Sequence, residues 1–287
     1  MNRLLGVLSI LVLSSAAASA ADCNRACMKD LITRYVDALV AHNPSKLPLA
    51  ADVRFTEDSQ DLKLGEGVWK TVTKKGDYRQ DFIDLKAQIA AAHLTLHEEG
   101  ALLEYSVLLH VKDQKIAGIE TLVNQITPKS KFQPNMLDKM PAGMRAPVPA
   151  DKRMPREEMI RIANLYPKGL IGGNWANAGT PFAKDAYRIE NGTFVVGAGC
   201  PTGNCTPIEA QKIMTHPYLE RSVAAVDEEE GIVVLWMNFG FTNSYGPGNA
   251  LVTFEAFKVW GGEIHAVEAF FRVLPQETRR GWEPFDF

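Results

Sequence analysis

The chain has 287 residues, with 31 basic and 34 acidic side chains and a net charge of −3. Charges of both signs are spread along it, which excludes the basic stripe of a nucleic-acid-binding protein and the polybasic patch of a membrane-surface protein. We therefore expect small molecules or proteins as partners, with no nucleic acid and no membrane insertion.

Residues 1–20 have the pattern of a secretory signal peptide. Arg3 gives the positive start, residues 4–13 form the apolar stretch, and residues 18–20 form a small-residue cleavage site. The apolar stretch is shorter than the roughly 20 residues that span a bilayer. The sequence therefore predicts an exported protein, periplasmic or secreted.

Four cysteines in an exported chain favour two disulfides. Cys23 and Cys27 lie one helical turn apart, and Cys200 and Cys205 bound a short loop, so we predict these two local pairs. A metal site is the alternative use of the same residues. The sequence contains no phosphate-binding loop, dinucleotide fingerprint or His-Glu-x-x-His helix, and we expect no metal and no other cofactor.

The first half, residues 21–126, has the pattern of one module. Apolar residues spaced by three and four predict a helix over residues 27–42. Residues 62–72 are strand-like, and residues 82–92 fit either a helix or a loop. Alternating patterns predict antiparallel strands at residues 94–96, 101–111 and 116–126.

Residues 127–153 contain five prolines without periodicity, which is typical of a linker. A second module is predicted over residues 154–275, followed by a tail at residues 276–287. Its predicted helices cover residues 156–166 and 209–216. Its predicted strands cover residues 185–196, 231–241, 250–260 and 263–273.

The second half repeats the first. Residues 111–122 recur as residues 259–270, each shifted by 148 positions, and Glu57 corresponds to Glu190. The Glu-Glu-Gly segment at residues 98–100 also recurs at residues 229–231. A period this long indicates two copies of a whole domain.

Helices followed by an antiparallel meander resemble the cone-shaped α+β fold of the nuclear transport factor 2-like superfamily. Six segments resemble a little-characterised secreted family of fungi and bacteria, which has tandem modules of this SnoaL-like kind. They lie at residues 23–27, 43–49, 53–57, 64–69, 188–192 and 226–231. The resemblance implies an α+β fold of two tandem cones, each with helices packed on a curved antiparallel sheet. It also implies a pocket inside the sheet, where related enzymes move protons without a metal.

An apolar pocket perturbs the pKa of an ionisable group, so ionisable residues on apolar strands are candidates for acid/base chemistry. We predict His216, Tyr187 and Glu268 as catalytic residues. Glu268 recurs in the first copy as Glu120, which leaves a structural role open for both.

Substrate-binding residues are predicted at the pocket mouth and wall, where a ring, an amide or a guanidinium would orient a ligand. The candidates are Arg188, Asp185, Trp236, Asn238, Asn174 and Trp175. Ion pairing between strands and core packing are the alternative roles.

These residues predict a cofactor-independent lyase, dehydratase or isomerase that acts on a small hydrophobic, aromatic or polyketide-like hydroxylated compound. A non-catalytic carrier for an apolar ligand is one alternative. Another is a scaffold whose sheet faces pair with each other or with a second chain in a homodimer, because both final strands are apolar on two faces.

Overall fold

The computed structural model describes residues 22–134, 142–201 and 206–282. The predicted signal peptide and Cys205 lie outside these ranges. None of the helices within them is long and apolar enough to span a membrane.

The first helix, α1 (Arg25–Val40), has the predicted amphipathic pattern. It begins after Asn24, whose side-chain oxygen accepts a 2.9 Å hydrogen bond from the backbone N–H of Cys27. A disulfide joins Cys23 to Cys27, as predicted. The buried side of the helix carries Met28, Leu31, Ile32, Tyr35, Val36, Ala38 and Leu39.

Replacing Cys23 and Cys27 together by alanine is expected to lower the free energy of unfolding by about 2 kcal/mol, because so short a loop restricts the unfolded chain only modestly. Urea denaturation of the variant and the native protein measures the loss. Cys200, which is also disulfide-bonded, is unchanged in this variant. A loss above about 4 kcal/mol would contradict this estimate.

The first sheet is mixed, whereas the sequence predicted a purely antiparallel one. Its order is β2-β1-β6-β5-β4-β3, with β1 parallel to β6 and the other neighbours antiparallel. The strands are β1 (Leu49–Glu57), β2 (Gln60–Leu62), β3 (Val72–Asp84), β4 (Ile89–Glu98), β5 (Ala101–Lys112) and β6 (Lys115–Ile126).

Two expectations for the first half need correction. Residues 82–92, predicted as helix or loop, form the end of β3, a turn and the start of β4. The first eight residues of β4 are all buried, so this strand lacks the alternation by which a half-exposed strand is recognised. The strand-like segment at residues 62–72 is mainly a loop with a 3-10 helix, Gly67–Lys70.

A short helix, α2 (Ala142–Arg145), lies in the predicted linker. The second half then starts with three short helices, α3 (Arg156–Ala163), α4 (Leu165–Gly172) and α5 (Trp175–Ala178). The helix predicted over residues 209–216 is wrong: only a 3-10 turn, Ile208–Ala210, forms there. Residues 211–216 have no regular secondary structure, and the backbone N–H of His216 donates a 3.0 Å hydrogen bond to the carbonyl of Leu170 in α4 instead of to a preceding helical turn.

The second sheet has the strand order of the first. Its order is β8-β7-β12-β11-β10-β9, again with one parallel pair, β7 with β12. The strands are β7 (Phe182–Glu190), β8 (Thr193–Gly197), β9 (Glu220–Asp227), β10 (Ile232–Asn238), β11 (Asn249–Trp260) and β12 (Glu263–Pro275). The protein is therefore an α+β protein of two corresponding halves.

The repeat at a shift of 148 residues is confirmed for the last two strands of each half, since β5 and β6 correspond to β11 and β12 at this shift. A register shift between His110 and Val111 in β5 recurs between Lys258 and Val259 in β11. The Glu-Glu-Gly correspondence is wrong, because residues 98–100 join β4 to β5, whereas the later segment joins β9 to β10. Its counterpart in the first half is the turn between β3 and β4.

One face of each sheet packs against the other sheet within the chain. The shared core includes Phe82, Leu108 and Leu122 of the first sheet and Trp236 and Phe254 of the second. The two halves thus cover each other's apolar faces. These faces are consequently not free to form the homodimer that the sequence suggested.

Two buried aspartates connect the halves reciprocally. Asp84, the last residue of β3, accepts bonds of 2.9 and 2.7 Å from the guanidinium of Arg156 in α3. Asp227, the last residue of β9, pairs with Arg25 of α1. Each carboxylate also accepts a 2.8 Å hydrogen bond from a backbone N–H of the other half's edge strand. We call these four residues the reciprocal brace.

The segment after β12 returns to the first half. Asn238 donates hydrogen bonds to two of its backbone carbonyls. Arg280 donates to both carboxylate oxygens of the buried Glu120, at 2.9 Å each, and Trp282 stacks on His110. Glu120 therefore anchors the C-terminal segment, in agreement with the structural role that its recurrence left open.

Candidate functional site

A cavity of about 530 Å³ lies in the second half, between α4 and the strands β7, β11 and β12, and extends to the end of β6. Apolar side chains form much of its wall: Ile126, Phe132, Leu170, Ile213, Met214, Phe239, Leu251, Ala269, Phe271 and Val273. Its size and lining are those of a small-molecule site. Ile126 belongs to the first half and Phe132 to the predicted linker. The linker therefore contributes to the cavity wall.

The corresponding interior of the first half is filled by side chains. Tyr35, Trp69 and Tyr105 are almost completely buried there. The two tyrosine hydroxyls are hydrogen-bonded at 2.7 Å, and the Tyr35 ring meets the Trp69 ring edge-on at 5.5 Å. The halves share a fold but differ in whether the interior is open, which directs attention to the second half.

Arg188 forms the polar floor of the cavity. Its Nη1 donates a 2.9 Å hydrogen bond to the Tyr166 hydroxyl, and its Nε lies 3.0 Å from Oε1 of Glu190. The guanidinium also lies 5.3 Å from the ring centre of Trp175. Successive side chains of a strand point to opposite faces, so Arg188 faces the cavity while its neighbour Tyr187 faces the first sheet.

Glu255 is a cavity residue that the sequence reasoning missed. It lies in β11, is 3% exposed and shares the cavity wall with Arg188. Burial raises the pKa of its carboxyl to about 8; Arg188 and a hydrogen bond from Tyr166 oppose this shift, and Glu190 adds to it. The carboxyl is therefore mostly protonated at pH 7 and available as a proton donor.

His216, one of the predicted catalytic residues, lies in the cavity lining and is buried. Its ring lies 4.7 Å from that of Phe239 and stacks on Tyr245 at 6.0 Å. Burial lowers the pKa of the imidazole, so the ring is neutral at pH 7. Nδ1 is buried and has no hydrogen-bond partner within the described ranges.

The other two predicted catalytic residues lie between the sheets, outside the cavity. Tyr187 accepts a 2.9 Å hydrogen bond from the backbone N–H of Met144. Glu268 is fully buried, accepts a hydrogen bond from the Tyr78 hydroxyl and lies 2.8 Å from Nδ1 of His93. The predicted cluster of Tyr187, Arg188, His216 and Glu268 is thus divided between two faces of the second sheet.

The predicted binding residues other than Arg188 also lie outside the cavity lining. Trp236 belongs to the core between the sheets, and Asp185 is exposed, 3.9 Å from His265. Asn238 holds the C-terminal segment. Asn174 caps α5, and Trp175 is a core residue whose Nε1 donates to the carbonyl of Tyr166. Trp175 thereby supports Arg188 from behind the cavity wall.

Together these observations define an α+β protein of two fused halves with a ligand-sized cavity in the second. Residues 152–271 match the family model of a domain of unknown function (DUF8021). No curated protein matches the chain. The matched segment contains Arg188, Glu190, His216 and Glu255, which are the ionisable residues of the cavity considered above.

Proposed function

We propose that the cavity binds a small apolar compound with a carbonyl or hydroxyl group and catalyses proton transfer on it, as in an isomerisation or an elimination of water. The observation that carries this proposal is the protonated, buried carboxyl of Glu255 in the same apolar cavity as the neutral imidazole of His216. Environments that shift the protonation of two groups in opposite directions are characteristic of acid/base pairs.

The chemistry follows from the two protonation states. The neutral imidazole of His216 removes a proton from the carbon next to the carbonyl, and the electron pair of that C–H bond forms a C=C bond. The carbonyl oxygen takes the proton of Glu255, which gives an enol. Return of the imidazolium proton at another carbon completes an isomerisation, and the enol proton goes back to Glu255. In an elimination, the hydroxyl on the neighbouring carbon takes the imidazolium proton and leaves as water, while the enol proton returns to Glu255. Both residues are only 3% exposed, which limits their contact with bulk water.

The test measures proton abstraction directly. We expect the native protein to exchange the methyl protons of 2-acetonaphthone with D2O, followed as loss of the methyl proton NMR signal. Glu255→Gln and His216→Gln are each expected to lower the rate by about 100-fold, a typical loss for a general acid or base. The rate should also fall above pH 8, where Glu255 loses its proton.

Glu57→Gln is the matched control. Glu57 is a partly buried glutamate in the first half whose pKa is raised to about 7, mainly by burial, but it does not line the cavity. Its replacement is expected to leave exchange unchanged. Binding without any exchange by the native protein would favour the carrier function, since most of the cavity wall is apolar.

We also propose that each half is a module of the nuclear transport factor 2-like kind and that the chain is exported. The shared strand order of the two sheets supports the first proposal. The Cys23–Cys27 disulfide supports the second, because such bonds persist in oxidising compartments. Detection of the processed chain in the periplasm or the medium of the producing cell tests export.

A further inference from the structure

The cavity contains a cation whose charge is already compensated. Arg188 is buried, and Nε lies 3.0 Å from a carboxylate oxygen of Glu190, which also lines the cavity. Burying a lone guanidinium costs several kcal/mol, so a paired carboxylate is needed where no ligand supplies one. Glu190 fills the position that a ligand carboxylate would otherwise take.

We propose that Glu190 determines charge selectivity, so that the cavity accepts an uncharged aromatic carbonyl compound and rejects a carboxylate of the same shape. The inference rests on the proposed function only in taking the cavity as the ligand site. It adds the ligand's charge and a specificity-determining residue, neither of which follows from acid/base chemistry alone.

The surroundings of Arg188 support this assignment. One face of the guanidinium is covered by the Trp175 ring, and Nη1 is used by the Tyr166 hydroxyl. Nη1 and Nε of the guanidinium therefore each already have a polar neighbour, which an incoming carboxylate would meet. A carboxylate ligand would also come close to the carboxylate of Glu190.

The cations at the rim do not reverse this balance. Arg272 is paired with Asp58 and donates a 2.8 Å hydrogen bond to the carbonyl of Val123. Lys131 is exposed to solvent, where water and salt screen its charge. Both residues line the cavity, but Arg188 and Glu255 are only 5% and 3% exposed, so they form its buried polar part.

The experiment compares two ligands of nearly equal shape, 2-acetonaphthone and 2-naphthoate, by isothermal titration calorimetry at pH 7. The native protein is expected to bind the ketone at least about tenfold more tightly. Glu190→Gln removes the compensating charge and is expected to shift the ratio by about tenfold or more toward the carboxylate. Glu190→Asp, which keeps the charge, should retain the native preference.

Glu57→Gln is again the control, because Glu57 corresponds to Glu190 in the repeat but lies in the filled half. Tighter binding of 2-naphthoate by the native protein, no binding of either compound, or an unchanged ratio in a folded Glu190→Gln protein would overturn the inference. The expected change of ratio without proton exchange would leave this inference intact and overturn only the catalytic proposal.

Discussion

Asp84→Ala is expected to lower the free energy of unfolding by about 3–5 kcal/mol, the usual result of leaving one partner of a buried ion pair alone. The side chains of Arg156 and Asp84 are only 4% and 1% exposed. The variant would leave Arg156 without its bidentate carboxylate partner and a buried backbone N–H of β9 without its acceptor. Urea denaturation gives the loss.

A matched comparison separates this effect from the general cost of removing charge. Arg161→Ala breaks a pair with Glu158 in which both side chains are well exposed, and we expect no measurable change. The double variant Arg156→Met with Asp84→Leu should recover much of the stability, because apolar residues can replace a buried pair. A loss for Asp84→Ala as small as that for Arg161→Ala would show that the reciprocal brace contributes little.

The unfolding free energy is expected to fall as pH rises from about 5 to 8, and Glu255→Gln should remove part of this fall. The pKa of Glu255 is raised from its ordinary value of 4.5 to about 8 by burial. Between these values the folded protein holds a proton that the unfolded chain has released. One such group lowers stability by up to about 1.4 kcal/mol per pH unit.

The measurement compares native protein and Glu255→Gln at pH 6.5, 7.2 and 8. This range avoids most of the opposite contribution from His216 and His265, whose pKa values are lowered by burial. The variant should gain stability relative to the native protein as pH rises. Parallel curves would show that the carboxyl of Glu255 is not buried as a neutral acid.

Most of the strands could be predicted because their patterns are local. The predicted bounds of the first helix and of the final three strands of the second half lie within a few residues of the observed ones. The sequence also predicted the repeat. The first eight residues of β4 are all buried, so this strand gave no alternating signal. The parallel pairing of β1 with β6 depends on a distant segment, which no local pattern encodes.

The site was predicted less completely, for a reason that a single strand illustrates. Tyr187 and Arg188 are adjacent in β7, and adjacent side chains of a strand point to opposite faces, so only one of them can face the cavity. The sequence alone did not say which face of the sheet is open. Glu255 carried a usable signal, a single carboxylate within the apolar run of β11, at a position where the first half has Val107. The prediction for Glu268 failed for the same reason, because the sequence did not say which face of the second sheet lines the cavity.

The reciprocal brace has a consequence for the order in which the protein can mature during synthesis. Chains emerge from the ribosome with the N-terminal part first. Asp84 is made 72 residues before the arginine that neutralises it, and Arg25 is made 202 residues before its aspartate. The first half therefore has to wait for the second to be translated before either Asp84 or Arg25 can be compensated.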